Sequence, residues 1–341
     1  MWLFLAFSSA VLLGFYDVFK KQVLKTRAVL PVLTLNTLFC SLLFLPFVLF
    51  SATGYIAEGS IFYVPASGWA EQRYILLKAV IVLASWLCGY YGIKHLPLTI
   101  VGPINATRPV MVLLGALLFF GERLNLCQWV GVLLAIVSFF LLSRSGRKEG
   151  IDFRHDRWIF LVVLAAVLGA LSGLYDRYLL APVRTGGVGL SRMLVQSYYN
   201  LYQFVMMGVI LWVMNRQHQR AGKPDELNDL TPDDASSAST SHFPQRITRI
   251  TRILHFPFFT FHFSFLIFLV SLFLSVADFA YFYALSLPDA LISVVSMIRR
   301  ASVLISFSVG AFVFHEKNLR TKAFDLALVL LGMVFLYLGS K

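Results

Sequence analysis

The amino-acid sequence predicts an all-α membrane protein of about ten transmembrane helices, arranged as two inverted five-helix repeats. Three observations lead to this prediction: a very apolar composition, a series of apolar runs of membrane-spanning length, and an internal repeat. Of the 341 residues, 58% are hydrophobic and only 13% are charged, whereas soluble domains carry about 25% charged residues. The chain is therefore expected to be solvated by lipid.

Apolar runs of the required length recur along the whole chain. A bilayer core of about 30 Å needs about 20 residues of helix. The runs are continuously apolar and do not alternate with period two, so helices are predicted rather than a β-barrel. The predicted spans are 2–19, 29–51, 74–93, 98–120, 128–143, 158–179, 193–214, 262–285, 289–314 and 323–339.

The chain is predicted to divide into two similar units. The first repeat takes residues 1–143, a basic linker takes 144–157, and the second repeat takes 158–341. Within the second repeat, residues 215–261 include two acidic pairs and a serine-rich stretch at 236–241. Such a composition cannot bury enough apolar surface to order itself, so a flexible loop is predicted there.

The internal repeat is the most informative pattern. The segment Gly14-Phe15-Tyr16-Asp17 returns 159 residues later as Gly173-Leu174-Tyr175-Asp176. Two further matches are offset by 191 residues, namely Tyr90 with Tyr281 and Arg108 with Arg299. Because five spans per copy is an odd number, the second copy must lie inverted relative to the first. Inverted repeats of this kind are typical of secondary transporters.

The distribution of charge argues against nucleic acid as a partner. The formal net charge is +12, but the basic residues cluster between the apolar runs, as expected for loops facing an anionic membrane leaflet. With the N-terminus outside, about nineteen basic residues fall in cytoplasmic loops, Lys20, Lys21 and Lys322 among them, and about five fall in the opposite loops. Both termini are therefore predicted to lie outside.

Ionisable residues inside apolar spans are expensive and mark functional sites. Repeat-equivalent acids and bases on the first and fourth helices of each half can line one central cavity, which would suit a zwitterion or an organic anion. The candidate substrate-binding residues are Asp17, Arg108, Asp176 and Arg299, with Tyr90 and Tyr281 beside them.

A purely structural reading of the same residues stays open. Asp17 lies one turn from Lys20 and Lys21 and can mark a helix end through an i,i+3 or i,i+4 pair. Arg299 can form a buried ion pair with Asp278 or Asp289 instead of contacting a substrate. The tyrosines can likewise serve as core packing.

Patterns of catalysis or cofactor binding are not found in the sequence. His315-Glu316 is not followed by the second histidine of a zinc-protease motif, and neither a Walker A sequence nor a GxSxG motif occurs. Cys40, Cys88 and Cys127 form no CxxC pair. We therefore expect a protein that is not an enzyme, with no cofactor and no metal.

Three segments carry a resemblance to a known family: Gly115-Ala-Leu-Leu-Phe-Phe-Gly121-Glu122, Gln128-Trp-Val-Gly131, and a weaker second copy, Gly310-Ala-Phe-Val-Phe-His-Glu316. With these segments the chain resembles the EamA-like branch of the drug/metabolite transporter superfamily. This resemblance implies a ten-helix exporter or exchanger of small metabolites such as amino acids, with a central cavity, in the bacterial inner membrane.

The working hypothesis is a secondary transporter in the cell (inner or plasma) membrane. Its expected partners are a small-molecule substrate, the lipid bilayer and a proton or other coupling ion, and the protein is expected to be a monomer or a homodimer. Two alternatives stay open: a flippase of a lipid-linked substrate, and a membrane sensor or assembly subunit that does not transport.

Overall fold

The fold is taken from a computed structural model that describes residues 2–25, 27–108, 110–112, 114, 125–147, 155–221, 261–287, 295, 298–313 and 319–339. Within these ranges the chain forms ten α-helices and one short 3₁₀ turn, Val183–Thr185. The helices are α1 Trp2–Leu24, α2 Val29–Ala52, α3 Trp69–His95, α4 Leu98–Ala106, α5 Leu126–Arg147, α6 Arg157–Leu180, α7 Arg192–Ala221, α8 Phe261–Leu285, α9 Ser302–Phe312 and α10 Leu319–Gly339.

Each of the ten predicted apolar runs overlaps one of these helices. In the described part of the chain, five of them, α1, α2, α3, α6 and α8, are long and apolar enough to cross a membrane. Their outward faces carry large exposed apolar side chains, such as Phe4, Leu49 and Phe160. Since soluble proteins rarely expose contiguous apolar surface, these faces are those that lipid solvates.

The fourth and ninth runs are each divided by a turn. Helix α4 ends at Ala106, and residues 108, 110–112 and 114 are helical again beyond it; residues 298–300 are helical, and α9 begins at Ser302 after a turn at Ala301. Helix α4 ends at a turn at Thr107, whose hydroxyl donates to the Ile104 carbonyl oxygen at 2.7 Å. Pro109 follows closely, and proline cannot donate a helical hydrogen bond. Pro109 itself, like Glu122 and Glu316, lies outside the described residues.

Two predicted connections begin later than expected. Helix α5 continues to Arg147, so the start of the predicted linker at 144–157 is helical. Helix α7 continues to Ala221, so residues 215–221 of the predicted flexible loop are helical as well. The remainder of that loop, 222–260, lies outside the described residues.

Helices from the first half pack on helices from the second half. Helix α1 packs on α8 and on α9, α3 packs on α6, and α2 packs on α7. Helices α4 and α9 pack on each other, as do α5 and α10. The two halves therefore share one interior and are not separate bundles.

The direction of α8 relative to α1 follows from their contacts. The Ser9 hydroxyl donates to the Ala277 carbonyl oxygen at 2.7 Å. Further along α1, the Phe19 ring stacks on the Phe273 ring, with centroids 5.5 Å apart. As the residue number increases along α1, the number of the contacting residue on α8 decreases, so the two helices are antiparallel.

The direction of α6 follows in the same way. Tyr16 and Lys21 of α1 contact Tyr90 and Ile93 of α3, so α1 and α3 run in the same direction. Along α3 and α6, the pair Lys78–Asp176 is followed by a hydrogen bond from Ser85 to Ala165, so these helices run in opposite directions. Helix α6 therefore runs opposite to α1.

Some lysines that were assigned to loops are buried inside the helix bundle. Lys20 and Lys21 belong to α1 and are 6% and 9% exposed. Lys21 Nζ donates to two main-chain carbonyl oxygens at the end of α3, each at 2.6 Å. Lys322 in α10 is fully buried and donates to the Thr99 hydroxyl at 2.9 Å. The loop charge count was wrong for these three residues, and the position of the termini stays a prediction.

Close contact between α1 and α9 depends on Gly14. A Cβ atom at this position would lie 2.6 Å from Ile305 Cβ, which is closer than van der Waals contact allows. Small residues at helix crossings permit this approach in membrane proteins, where close packing drives helix association.

We predict that Gly14→Ala lowers the stability of the detergent-solubilised protein by about 1–3 kcal/mol, because the added methyl group overpacks the crossing. The thermal unfolding midpoint measures it. Adding Ile305→Ala should restore most of the loss, whereas Gly208→Ala, where no atom lies within 4 Å of the new Cβ, serves as the matched control. A Gly14→Ala protein as stable as the wild type would contradict the prediction.

Candidate functional site

A central cavity of about 180 Å³ lies between the two halves. It is lined by α1, α3, α4, α6, α8 and α9 and the residues beside them, with Tyr199 contributed by α7. The structure brings all six residues of the predicted site to this one cavity. They are Asp17, Tyr90, Arg108, Asp176, Tyr281 and Arg299.

One group of polar residues, here the Asp17 cluster, joins α1 and α3. Asp17 Oδ1 accepts a hydrogen bond from Lys20 Nζ at 2.7 Å, one turn along the same helix. The Tyr16 hydroxyl donates to the Tyr90 hydroxyl at 3.3 Å. Lys20 Nζ also lies 4.0 Å from the Tyr16 ring centroid. The i,i+3 pair anticipated as the structural alternative is therefore present, and it faces the cavity.

A second group, here the Asp176 cluster, joins α3, α6, α7 and α8. The carboxylate of Asp176 forms an ion pair with Lys78, and both side chains are buried. Lys78 Nζ lies 5.0 Å from the Tyr199 ring centroid. The Tyr199 hydroxyl in turn donates to Asp278 Oδ2 at 2.8 Å. Because Lys78 and Tyr90 are twelve residues apart on α3, the two clusters are separated by about 18 Å along that helix.

Arg299 extends the Asp176 cluster. Its guanidinium forms an ion pair with Asp278, as the structural alternative anticipated. The same group lies over the Tyr281 ring, with Cζ 4.2 Å from the ring centroid. Asp289, the other acid considered as its partner, lies outside the described residues. Arg299 thus connects α8 to the segment just before α9.

Arg108 lies against α6. A Cβ atom on Gly169 would come within 2.6 Å of an Arg108 guanidinium nitrogen, so the glycine lets the guanidinium pack directly on α6 in this position. Arg108 Nε is buried and makes no hydrogen bond within the part of the chain that the structure describes. Arg108 makes no salt bridge with any described residue. Of the four ionisable residues predicted for the site, Arg108 is the one that makes no salt bridge with a described residue.

Sequence reasoning missed several residues of the site, above all Lys78. A single lysine inside an apolar run is itself a signal for a functional position. Lys78 has no counterpart in the second repeat, where the equivalent position, 191 residues later, is Leu269. The search for symmetric pairs therefore passed over it. Other ionisable and polar residues of the cavity that were not predicted are Lys20, Asn105, Tyr199 and Arg300.

The charges of the described lining residues do not balance. Among them are five basic and three acidic side chains, a formal surplus of two positive charges. Each of the three carboxylates is engaged by a basic partner. Over the described ranges, no group of three or more His, Cys, Asp or Glu side chains is placed to hold a metal ion. The arrangement is suited to binding a solute by charge and hydrogen bonds.

Fold and cavity together define an integral multi-pass membrane protein with an internal polar cavity. Residues 1–144 match the model of the EamA-like transporter family. A probable 4-amino-4-deoxy-L-arabinose-phosphoundecaprenol flippase subunit ArnE of Aeromonas hydrophila is 30% identical over 81 residues, which cover 23% of this chain and 71% of that protein. The chain belongs to the EamA-like transporter family, whose members are transporters and not enzymes.

Other relatives are similar over shorter shares of their length. An uncharacterized transporter of Pseudomonas aeruginosa is 30% identical over 135 residues, 38% of this chain and 43% of that protein. An uncharacterized transporter of a Sinorhizobium species is 31% identical over 80 residues, 24% of this chain and 55% of that protein. The chain thus spans about half the length of these relatives.

One solved crystal structure of a protein resembles the whole chain. The TM-score is 0.58, over 99% of this chain and 98% of the other, at 12% sequence identity. At that identity the likeness concerns the fold alone.

The ion pair between Lys78 and Asp176 gives a testable energetic prediction. We expect Lys78→Gln and Asp176→Asn each to destabilise the protein by about 3–5 kcal/mol, because each leaves one uncompensated charge inside the membrane. The double variant should recover most of that loss, since neither charge remains. Thermal unfolding midpoints in detergent are compared for the wild type, the two single variants and the double variant, which together form a double-mutant cycle.

Asp17→Asn provides the control for this cycle. Its partner Lys20 lies on the same helix and the Asp17 side chain is 22% exposed, so a smaller loss is expected. Additive losses in the Lys78 and Asp176 variants would contradict the assignment of a buried, mutually dependent pair.

Proposed function

We propose that this protein is a secondary transporter that moves a small metabolite through the central cavity by alternating access, as an exporter or exchanger. One observation carries the proposal. A single cavity between the two halves collects the repeat-equivalent ionisable residues Asp17, Asp176, Arg108 and Arg299. Ionisable groups gathered in a chamber inside a membrane protein are typical of a substrate or ion pathway.

We further propose that the two halves are inverted five-helix repeats, α1–α5 and α6–α10. The antiparallel arrangement of α1 and α6 supports this, and so does the way the helices pair between halves. The packing of α1 on α8 corresponds to that of α6 on α3 when the halves are exchanged. In this proposal the repeats take residues 1–143 and 158–341, joined by the linker at 144–157, with the connection at 215–261 inside the second.

The two ion-paired clusters provide a basis for alternating access. The Asp17 cluster and the Asp176 cluster lie at different depths of the cavity, and their aspartates lie on the equivalent helices α1 and α6. When the halves rock, the Asp176 cluster, which joins helices of both halves, separates and forms again while the Asp17 cluster moves with its own half, so the substrate meets different charges at each end. Tyr90 and Tyr281 then form equivalent walls of the path. Protonation of the cavity carboxylates is a route for coupling to a proton gradient.

A flux assay tests the proposed function. Wild-type protein in liposomes is screened with labelled amino acids, carboxylates and phosphorylated metabolites, with and without a pH gradient. We expect uptake above that of empty liposomes for at least one class, and a loss of about tenfold or more in the Lys78→Gln/Asp176→Asn double variant.

The double variant is informative because it removes the pair without leaving a lone charge. Wild-type flux in the folded double variant would show that the pair is structural and that this part of the site is wrongly assigned. Absence of flux for every class in the wild type would contradict transport of a soluble metabolite, and absence of lipid movement as well would favour the sensor or assembly alternative.

Topology provides an independent test of the inverted repeats. Lys25 follows α1 and Arg184 lies just after α6, so we expect the two positions on opposite faces of the membrane. Single cysteines at each position are introduced into a chain in which Cys40, Cys88 and Cys127 are replaced by alanine. A membrane-impermeant maleimide should label the two positions from opposite sides, and labelling from one side would exclude the inversion.

A flippase of a lipid-linked substrate is the second candidate. It is favoured by the relative from Aeromonas hydrophila, which is named as a probable flippase subunit and is 30% identical over 81 residues. On this alternative the polar head of the lipid would occupy the cavity while its chain stays in the bilayer. Fluorescent lipids in the same liposomes distinguish the two candidates, because a flippase moves the lipid and leaves soluble solutes untouched.

A further inference from the structure

We propose that Arg108 and Arg300 bind the negatively charged group, a carboxylate or a phosphate, of the molecule that the cavity carries. This inference rests on the proposed function, since it assigns a substrate class to the same cavity. The sequence is compatible with either a zwitterionic or an anionic substrate, and this inference favours the anionic one.

The two arginines meet at a recess beside the central cavity, here called the arginine recess. Its volume is about 30 Å³. A bound water needs about 10–15 Å³ by the same kind of measure, so the recess admits about two oxygen-sized groups. The main cavity next to it has room for the rest of a small molecule. The recess is lined by Arg108, Val112, Gly169, Ala170, Gly173, Tyr281, Arg299 and Arg300.

Positive charge in the recess is not neutralised by the described part of the chain. Three guanidinium groups line it, and no lining residue is acidic. Arg299 is paired with Asp278. Arg108 and Arg300 make no salt bridge with any described residue, although each lies within electrostatic range of Arg299. Two like charges held close together in a water-poor site repel strongly, and an anion between them removes the repulsion.

Asp17 does not supply the missing partner of Arg108. Its Oδ1 already accepts the hydrogen bond from Lys20 at 2.7 Å. The buried Arg108 Nε remains without a hydrogen-bond acceptor in the described residues. A buried donor without an acceptor destabilises the protein, and an anionic ligand would supply that acceptor.

The backbone of α6 is shaped to hold Arg108 at the recess. A Cβ atom at Gly169 would lie 2.6 Å from one guanidinium nitrogen and 2.7 Å from Cζ, so a side chain there would displace the guanidinium from its present position. Gly173, one turn further, has no atom within 4 Å of its would-be Cβ and leaves the recess open. The close support on one side and the open space on the other direct Arg108 towards a ligand.

The remaining chemistry favours an anion. The three carboxylates among the described lining residues are paired with Lys20, Lys78 or Arg299, so the negative charge that would attract the ammonium group of a zwitterion or a cation is already compensated. The planar guanidinium groups bind carboxylate and phosphate oxygens in pairs, and these charge-assisted hydrogen bonds are among the strongest available. The surplus positive charge of the cavity acts in the same direction.

The experiment compares probes of different charge in liposomes containing the wild-type full chain. The probes are labelled succinate, glycerol 3-phosphate, leucine and putrescine, supplied at equal concentration. We expect the two anions to be transported at least about tenfold faster than leucine and putrescine, and Arg108→Gln and Arg300→Gln each to reduce anion flux by about tenfold or more. Arg108→Lys and Arg300→Lys keep the charge and should retain part of the flux.

A measurement of ligand binding shows whether a variant loses flux because it no longer binds the anion or for another reason, such as misfolding. Succinate or inorganic phosphate should raise the unfolding midpoint of the wild type in detergent, because a ligand that binds only the folded state stabilises it. Arg300→Gln should abolish this shift. Arg192→Gln is the matched control, because Arg192 lies outside the cavity and the recess, over the Tyr283 ring. It should keep both the shift and the flux.

The outcomes separate the two proposals. Transport of leucine or putrescine in preference to both anions, unaffected by the arginine variants, would overturn the anion inference and leave the transporter proposal standing. Absence of flux for all four probes, together with no movement of lipid, would overturn both.

A further experiment with a lipid determines whether the anionic group belongs to a lipid headgroup or to a soluble molecule. Liposomes doped with fluorescent phosphatidic acid report movement of a phosphate that belongs to a lipid headgroup. Arginine-dependent movement of this lipid would support the anion inference with a lipid source, and arginine-dependent flux of succinate or glycerol 3-phosphate would support it with a soluble source.

Discussion

The central constraint on this structure is that no charge can be left facing lipid. Lys78 and Asp176 satisfy each other across the interface of the two halves, and both are buried. Either group alone inside the membrane would be strongly unfavourable. The apolar outer faces of the helices and the polar cavity are consequences of the same requirement. Charged residues must converge on a common interior, so the halves interlock through α1 with α8 and α3 with α6.

Much of the fold and part of the cavity lining could be predicted because similar segments recur along the sequence. Asp17 and Asp176, or Tyr90 and Tyr281, occupy equivalent positions, so they reach the same cavity from opposite halves. The partners of these residues could not be predicted. Lys78 has no repeat counterpart, and a sequence does not show which of several acids lies within reach of a buried base. Pairing is decided by helix directions and by rotation about helix axes, which only the packed structure fixes.

The errors in the loop charge count have a related cause. Lys20, Lys21 and Lys322 look like residues at the ends of apolar runs, where basic side chains usually reach the interface. In the structure their helices continue past these positions and the ammonium groups turn inward to carbonyl, carboxylate or hydroxyl oxygens. A lysine side chain is long enough to do either. Hydropathy alone cannot distinguish the two, so a rule based on counting loop charges fails where helices extend.

The departures from symmetry bear on how such a protein can move. Asp17 pairs with Lys20 inside one helix, whereas Asp176 pairs with Lys78 across two helices from different halves. A pair within one helix travels with that helix and survives any rigid-body rotation. A pair between halves must lengthen or break when they separate at that end, so opening there requires a compensating interaction. Arg108 and Arg300, which form no salt bridge within the described part of the chain, lie in the same cavity, where we propose that they bind an anion. A bound anion draws together helices that carry these arginines, and in this way ligand binding can offset the loss of the Lys78–Asp176 contact.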